Sequence, residues 1–499
     1  MLNIKICGFS MLILALPCLG LAGCAGGQPA PRVDMVIESV GVIDVRNGKV
    51  LPDQDIVVDQ GRIRELLPAG RAARIPAVER VDGRGRYALP GLWDNHVHFG
   101  GGKELAQENK NLLPLYVAHG VTTVRDAAGD LSEEVLEWRG QIAAGALLGP
   151  TIYTSGPKIE GIDSIWPGDI EVGDETQLRA AFDRLQAMRV DFIKITDNTL
   201  KPELFIEALQ EAQRRNLLTS AHIPMALTLD EVADAGLDSI EHIGYAVKAG
   251  SRDERGISAD YRAGRITYAQ ASERLAASFD LDIAKAAYRR LAAKGVAIDP
   301  TLNGSRVVAY LDQDDHADDE YLAYLGPGLK ATYAWRVERA AKDDADAIAI
   351  RHQRFEQGAA LLPVLRDAGM RILVGTDAGF LNSFNYPGIG LHDEMELYVR
   401  YGLTPAQTLR AATLDNAEFL GKEPESGEIA VGKRADIVLL RSDPLQDIRA
   451  TRAIDAVILK GRYLDREALD AMLVDARLQV AKRADVGAAS RRELLTLPP

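Results

Sequence analysis

The sequence predicts an α/β protein built as a (β/α)8 barrel, and three observations carry that expectation. Between residues 88 and 421, short apolar runs alternate with helical patterns, which argues for βα units and a parallel sheet. Eight candidate strands fall in that stretch, the number such a barrel requires. Histidine, lysine and aspartate stand at the ends of several of them, and strand ends are where a barrel of this kind gathers its chemistry.

The 499 residues suffice for one large barrel plus a smaller domain and are too many for one simple core. A hydrophobic content of 47% with 26% charged residues is ordinary for a soluble globular protein. The net charge of -14 argues against a nucleic-acid partner, which would need a basic face.

The chain opens on a targeting leader. Lys5 precedes an apolar run over residues 11–20, too short to span a bilayer as a helix. Leu21-Ala-Gly-Cys24 follows and resembles the lipobox of bacterial lipoproteins. That resemblance implies a signal peptide over residues 1–23, a lipid-bearing Cys24 anchored to the membrane, and a Gly/Pro-containing tether over 24–32. By the same analogy the protein faces the periplasm of the cell envelope, at the outer membrane rather than the inner. A plain secretory signal cleaved nearby is the alternative. Cys7, Cys18 and Cys24 all lie in this leader, so the body has no disulfide, thiol nucleophile or thiolate ligand.

From residue 33 to 87 the pattern is strand-like. The β-prone runs 40–45 and 56–59 flank Asn47-Gly48, a hairpin signal. A matching β-prone block recurs at 427–431, 435–440 and 454–459. Between these flanks the eight candidate strands end near His98, Arg125, Thr154, Lys194, His222, His242, Thr301 and Asp377. The helices between them carry start and stop signals. Asp174 with Gln177 reads as a capping box ahead of an apolar face of Leu178, Ala181, Phe182 and Leu185. Thr404-Pro405 with Gln407 gives a cap, a first-turn proline and a second box, and Gly421 suits the far end. Residues 251–292 and 303–360 exceed ordinary connections. They read as helical excursions, either roofing the active site or standing as solvated structural helices.

His96 and His98 are two apart, so on a strand both side chains leave the same face and could share one metal ion. Lys194, His222, His242 and Asp377 add four ligand-type residues at four further strand ends. One buried histidine would more often be a packing residue, and one buried aspartate a paired or capping group. That reading must hold six times to dispose of the whole set.

The set, with the phrases Ala88-Leu-Pro-Gly-Leu-Trp-Asp-Asn-His-Val-His98, Ser239-Ile-Glu-His242 and Gly375-Thr-Asp377, resembles the amidohydrolase superfamily, in its imidazolonepropionase-like and prolidase-like branch. The resemblance implies a metal-dependent catalytic barrel over 88–421, a small β-sandwich from 33–87 and 422–465, and a C-terminal helix and tail over 466–499. It implies two divalent metal ions, zinc foremost, although other divalent metals accept similar ligands. His96, His98 and Asp377 would hold the deeper ion, His222 and His242 the other, and a carboxylated Lys194 would bridge them. A plain lysine beside a single ion is the alternative for Lys194. The implied reaction is hydrolysis of a C–N bond in an amide, peptide or cyclic amide, with a bridging hydroxide as nucleophile. Asp377 would serve as general acid/base, carrying the proton to the leaving amine.

The implied substrate is a small, dipeptide-like molecule. After His222 this chain has Ile223-Pro224, where dipeptidases of the branch often have Ala-Tyr. Arg125, Lys158, Tyr245 and Asn303 are candidate substrate contacts by strand-end position. Arg125 could fork onto a substrate carboxylate or be locked with a neighbour such as Asp126. His119, His316 and His352 read as surface or packing residues. A mononuclear deaminase and a non-catalytic binding lipoprotein on the same fold are the rival readings, and monomer or homo-oligomer is left open.

Overall fold

A computed structural model describes residues 32–495, with side chains up to Lys482. The expected signal peptide, Cys24 and nearly all of the tether lie outside the described residues. Among the described residues, no helix is long and apolar enough to cross a membrane.

Eight parallel strands make the barrel: Leu92–His98, Val121–Asp126, Thr151–Thr154, Ile193–Ile195, Thr219–Ala221, Ser239–Glu241, Ala297–Asp299, and an eighth split into Arg371–Ile372 and Ala378–Gly379. The first to third strands pair in parallel, as do the fourth to the first segment of the eighth, and Ala378–Gly379 pairs back onto the first. The third strand joins the fourth through Asp191 N–H donating to Thr154 O at 2.8 Å. The break in the eighth strand is itself the closure. Leu373 N–H donates to Ile298 O of the seventh strand at 2.8 Å, and Val374 O accepts Asn95 N–H of the first at 2.9 Å.

The helices follow from local chemistry. Glu175–Met188 buries Leu178, Ala181, Phe182 and Leu185, a 3.6-residue stripe, and Asp174 accepts Gln177 N–H as its cap. The expected box is displaced by one residue, because the Gln177 side chain reaches back to Gly173 N–H instead. At Pro405–Arg410 the Thr404–Gln407 box is reciprocal. That segment continues through a π-helical turn, Ala411–Asp415, into Asn416–Phe419. The turn aims the Asn416 amide into the barrel, where it donates to Trp93 O and Val374 O and accepts Val374 N–H. One side chain thus holds the first and eighth strands together.

Residues from both chain ends build one further sheet of eight strands. Its longest strand, Val33–Asp44, is bent at Ser39, whose φ is +58°. The first half pairs with Ala77–Asp82 and the second with Tyr87–Pro90. Buried Asp55 fixes the bend by accepting Ser39 N–H and Ala72 N–H. Ile437–Leu440, from the far end of the chain, then adds antiparallel to Tyr87–Pro90.

The two long excursions are helical. The first holds Glu254–Arg262, Tyr268–Ala277 and Leu281–Ala293; the second holds Leu302–Ala309, Pro327–Ala340 and Ala345–Ala359. In the second, Pro327–Ala340 lies over the barrel mouth. Arg336 Nε donates to Leu381 O at 3.1 Å, and Ser383 Oγ donates to Tyr333 O at 2.8 Å.

Barrel and sheet are coupled through His392, fully buried in the helix Ile389–Arg400. Its Nε2 donates to His119 O at 3.0 Å, and its Nδ1 lies 2.9 Å from Thr451 Oγ1. Burial pushes its pKa down from 6.5 to about 3. The folded state therefore favours neutral imidazole, and the associated stability is present above pH 6.5 and lost as pH falls towards 3. Urea midpoints should show about 2 kcal/mol less pH-dependent loss between pH 7 and 5 in His392→Gln than in the wild type.

Candidate metal centre

The C-terminal ends of the barrel strands bring all six expected ligand residues to one place. His96 and His98 share a face of the first strand, Lys194 sits in the fourth, and His222 and His242 directly follow the fifth and sixth. Asp377 directly precedes the last segment of the eighth. His242 and Asp377 both have left-handed backbones, at φ 69° and 64°. Such conformations cost a non-glycine residue on the order of 1 kcal/mol and persist where the surroundings over-determine them. Here His242 N–H donates to Asp299 O at 2.8 Å and Asp377 N–H to His96 O at 2.7 Å.

The ring nitrogens are assigned by their partners. His98 Nδ1 lies 2.6 Å from Ala128 O, a pure acceptor, so Nδ1 carries the proton and Nε2 is a bare lone pair. His96 Nδ1 lies 2.6 Å from Glu241 Oε2, with the same consequence. Yet the two Nε2 atoms are only 3.2 Å apart, and Asp377 Oδ1 sits 2.9 Å from His98 Nε2 and 3.6 Å from His96 Nε2. A second pair repeats the pattern, with His242 Nε2 and His222 Nε2 3.0 Å apart and His242 Nδ1 2.7 Å from Thr301 Oγ1. The Lys194 nitrogen, buried and without a hydrogen-bond partner among the described residues, lines the same cavity as His98, His222, His242 and Asp377.

Burial keeps the imidazoles of His96, His222 and His242 neutral. It lowers His96 to about 3 and His242 to about 4, and holds His222 well below its usual value. Burial likewise lowers Lys194 to about 8, against the attraction of Glu241. Converging lone pairs beside a carboxylate repel one another unless a cation sits between them. The donor set of imidazole nitrogen and carboxylate oxygen is one that divalent zinc accepts. The site therefore fits a divalent metal centre, with His96, His98 and Asp377 as a compact group.

Of the two expectations for Arg125, the structure takes the structural lock. Arg125 is completely buried beneath the ligands, with Nη2 2.9 Å from both Glu241 carboxylate oxygens and Nε bonded to Asn95 O. Its plane lies over Phe192. No substrate reaches it, and it is locked by Glu241 rather than by Asp126, which accepts Thr154 Oγ–H. Asn303 is also corrected: it is buried and donates to Asn385 Oδ1 at 2.9 Å, away from the ligands. Lys158 does reach the centre, lining a cavity of about 120 Å³ with Lys194, His98 and Asp377, although its charge is paired with Asp169 at 3.2 Å. Tyr245 stacks on His222 at 5.6 Å and lines an adjoining cavity of about 270 Å³. His119 packs on the backbone, and His316 and His352 pair with Asp319 and Asp312.

Sequence reasoning missed three groups. Glu241, which fixes His96, was visible only as the neighbour of a ligand. Asn382, which donates to Asp377 Oδ1 at 3.0 Å, and Arg336, 3.9 Å from Asp377 Oδ2, come from irregular or distant chain with no local pattern. His96, Glu241 and Asp299 also cluster closely enough for a cation. There the guanidinium of Arg125 already fills that role, 2.9 Å from Glu241 and 3.8 Å from Asp299. Arg125→Met should therefore strand a buried carboxylate and lower the unfolding free energy by about 3–5 kcal/mol. Restoration by a second change, Glu241→Gln, would be read from urea unfolding; unchanged stability with a raised KM would instead mark a substrate contact.

Residues 87–464 match the family model of the amidohydrolase family. The ochratoxinase of Aspergillus niger is 25% identical over 428 residues, spanning 74% of this chain and 73% of that protein. A solved structure assigned as a prolidase from Bifidobacterium longum is 26% identical with a TM-score of 0.62, covering 89% of this chain and all (100%) of that one. A bottromycin amidohydrolase shares the fold with a TM-score of 0.69 at 23% identity, over 89% of this chain and 90% of its own. The chain belongs to the amidohydrolase family and is a hydrolase acting on carbon–nitrogen bonds.

Proposed function

We propose that this chain is a binuclear metal-dependent hydrolase of amide or peptide bonds in small, dipeptide-like substrates, with Asp377 as general acid/base. The observation that carries this reading is the buried Lys194 nitrogen, without a hydrogen-bond partner among the described residues, in one cavity with members of two pairs of converging imidazole nitrogens. A free ammonium there would repel cations, whereas a neutral amine can take up carbon dioxide, lose a proton and become an anionic carbamate, which would be able to help hold divalent ions. His96, His98 and Asp377 would hold one ion and His222 with His242 the other, zinc being the first candidate. When bound, two such ions supply hydroxide at neutral pH and polarise the scissile carbonyl.

The remaining work belongs to the side chains. Asp377, oriented by the Asn382 amide at 3.0 Å, takes the proton of the attacking water and returns it to the leaving nitrogen. Glu241 and the Ala128 carbonyl keep His96 and His98 in the tautomer that exposes Nε2, as carboxylate–histidine pairs do at metal sites. Tyr245 and Lys158 border the space left for substrate. Outside the described residues, Cys24 would tether the enzyme to the outer membrane on its periplasmic side.

Zinc-loaded wild type should carry two ions per chain by elemental analysis, and Lys194→Ala at most one. Asp377→Asn should lose about a thousandfold in amide turnover. A single ion in the wild type, with Lys194→Ala unchanged, would sink the binuclear reading.

A further inference from the structure

We propose that Arg336, from the helix that crosses the barrel mouth, anchors the free α-carboxylate of the amino-acid half of an N-acyl-α-amino acid substrate. The inference rests on the C–N hydrolysis proposed above and assigns a substrate class to the same site. Three cations line the cavity beside the ligands: Lys194, Lys158 and Arg336. Lys194 sits among the ligands, and Lys158 is paired with Asp169 at 3.2 Å. Arg336 is held by neutral acceptors, Leu381 O and Asn382 Oδ1. Its nearest carboxylate oxygen among the described residues, Asp377 Oδ2, is 3.9 Å away, beyond hydrogen-bond reach. A guanidinium three-quarters buried at the wall of a substrate cavity, fixed in direction and short of a carboxylate, is a fork waiting for one.

The spacing says which half of the substrate carries the charge. Asp377 delivers a proton to the leaving nitrogen, so that nitrogen must lie close to the Asp377 carboxylate. A carboxylate bound on the Asp377 side of a group 3.9 Å from the same residue lies close to that nitrogen as well. In an α-amino acid the nitrogen and the carboxylate are joined through one carbon, which meets this demand; a carboxylate at the far end of a long acyl chain does not. The other half then points past His242, which lines both cavities, into the space of about 270 Å³ walled by Ile223, Met225, Tyr245 and Leu275. Those walls suit an apolar acyl group, and Lys248, Arg354 and Gln357 also line the space. On the Arg336 side, Trp166 and Phe380 offer apolar surface to the amino-acid side chain.

Arg336 also has a structural reading, since it ties its helix to the loop after Asp377. The experiment must separate the two. Zinc-loaded full-length enzyme would be assayed on N-hexanoyl-L-phenylalanine and on its carboxamide, following hexanoate release so that the same bond is scored. The wild type should prefer the acid. Arg336→Met should lose about 10- to 100-fold more on the acid than on the carboxamide, through KM, with partial recovery in Arg336→Lys. Equal cleavage of acid and carboxamide by the wild type, or an equal fall on both in Arg336→Met with a lowered Tm, would overturn the anchor. If neither compound is cleaved, calorimetric binding of the acid decides: weakening of about tenfold or more in Arg336→Met upholds the anchor, and no change overturns it. An Arg336-dependent preference in a protein with one ion per chain would uphold the anchor while sinking the two-metal reading.

Discussion

The buried ion pair between Arg125 and Glu241 is the constraint on which the centre depends. Two full charges with no solvent exposure are tolerable only because each satisfies the other and its neighbours. Glu241 also accepts the hydroxyls of Ser220 and Ser239 and faces His96 Nδ1 at 2.6 Å. Arg125 is sandwiched by Phe192 and Phe419, which fix its plane. From that pair upward the geometry is forced. His96 must expose Nε2, its neighbour His98 is turned the same way by Ala128 O, and Asp377 is brought between them by a backbone bond to His96 O. The low dielectric that makes the pair costly if broken also keeps His96, His222 and His242 neutral.

A second layer of organisation comes from chain that is remote in sequence. The helix Pro327–Ala340 belongs to no barrel repeat, yet it places Arg336 over Asp377 and packs Trp335 against Trp166 at 5.5 Å. The barrel supplies the reacting end of the site and the excursion supplies its wall. This division matches the general behaviour of such barrels, in which strand ends hold the chemistry and long connections hold the selectivity.

Much of this was legible before folding. A strand has a period of two, so His96 and His98 announce a shared face, and eight apolar runs separated by helical stripes announce a barrel. Thr404-Pro405 and Gln407 predicted a cap that forms as written, because capping is a contact between residues three apart. The Asp174 box slipped by one residue because the Gln177 amide can reach either of two neighbouring N–H groups, and only the turn geometry chooses. The sequence left Arg125 open between a substrate fork and a structural lock for a related reason. Its strand-end position is real, but inward or outward exposure depends on a carboxylate 116 residues away.

The sequence by itself determined which strands exist, which residues stand at their ends and hence which side chains could meet at the barrel mouth. Periodicity and local capping are short-range and written in consecutive residues. Only the tertiary structure decided which of those side chains are free to meet a ligand. Arg125 and Asn303 are consumed by buried partners, Arg336 is delivered from a distant helix, and Lys194 is left without one. Whether a charge is spent or available depends on what lies across from it, and the chain brings those partners together only when the barrel closes.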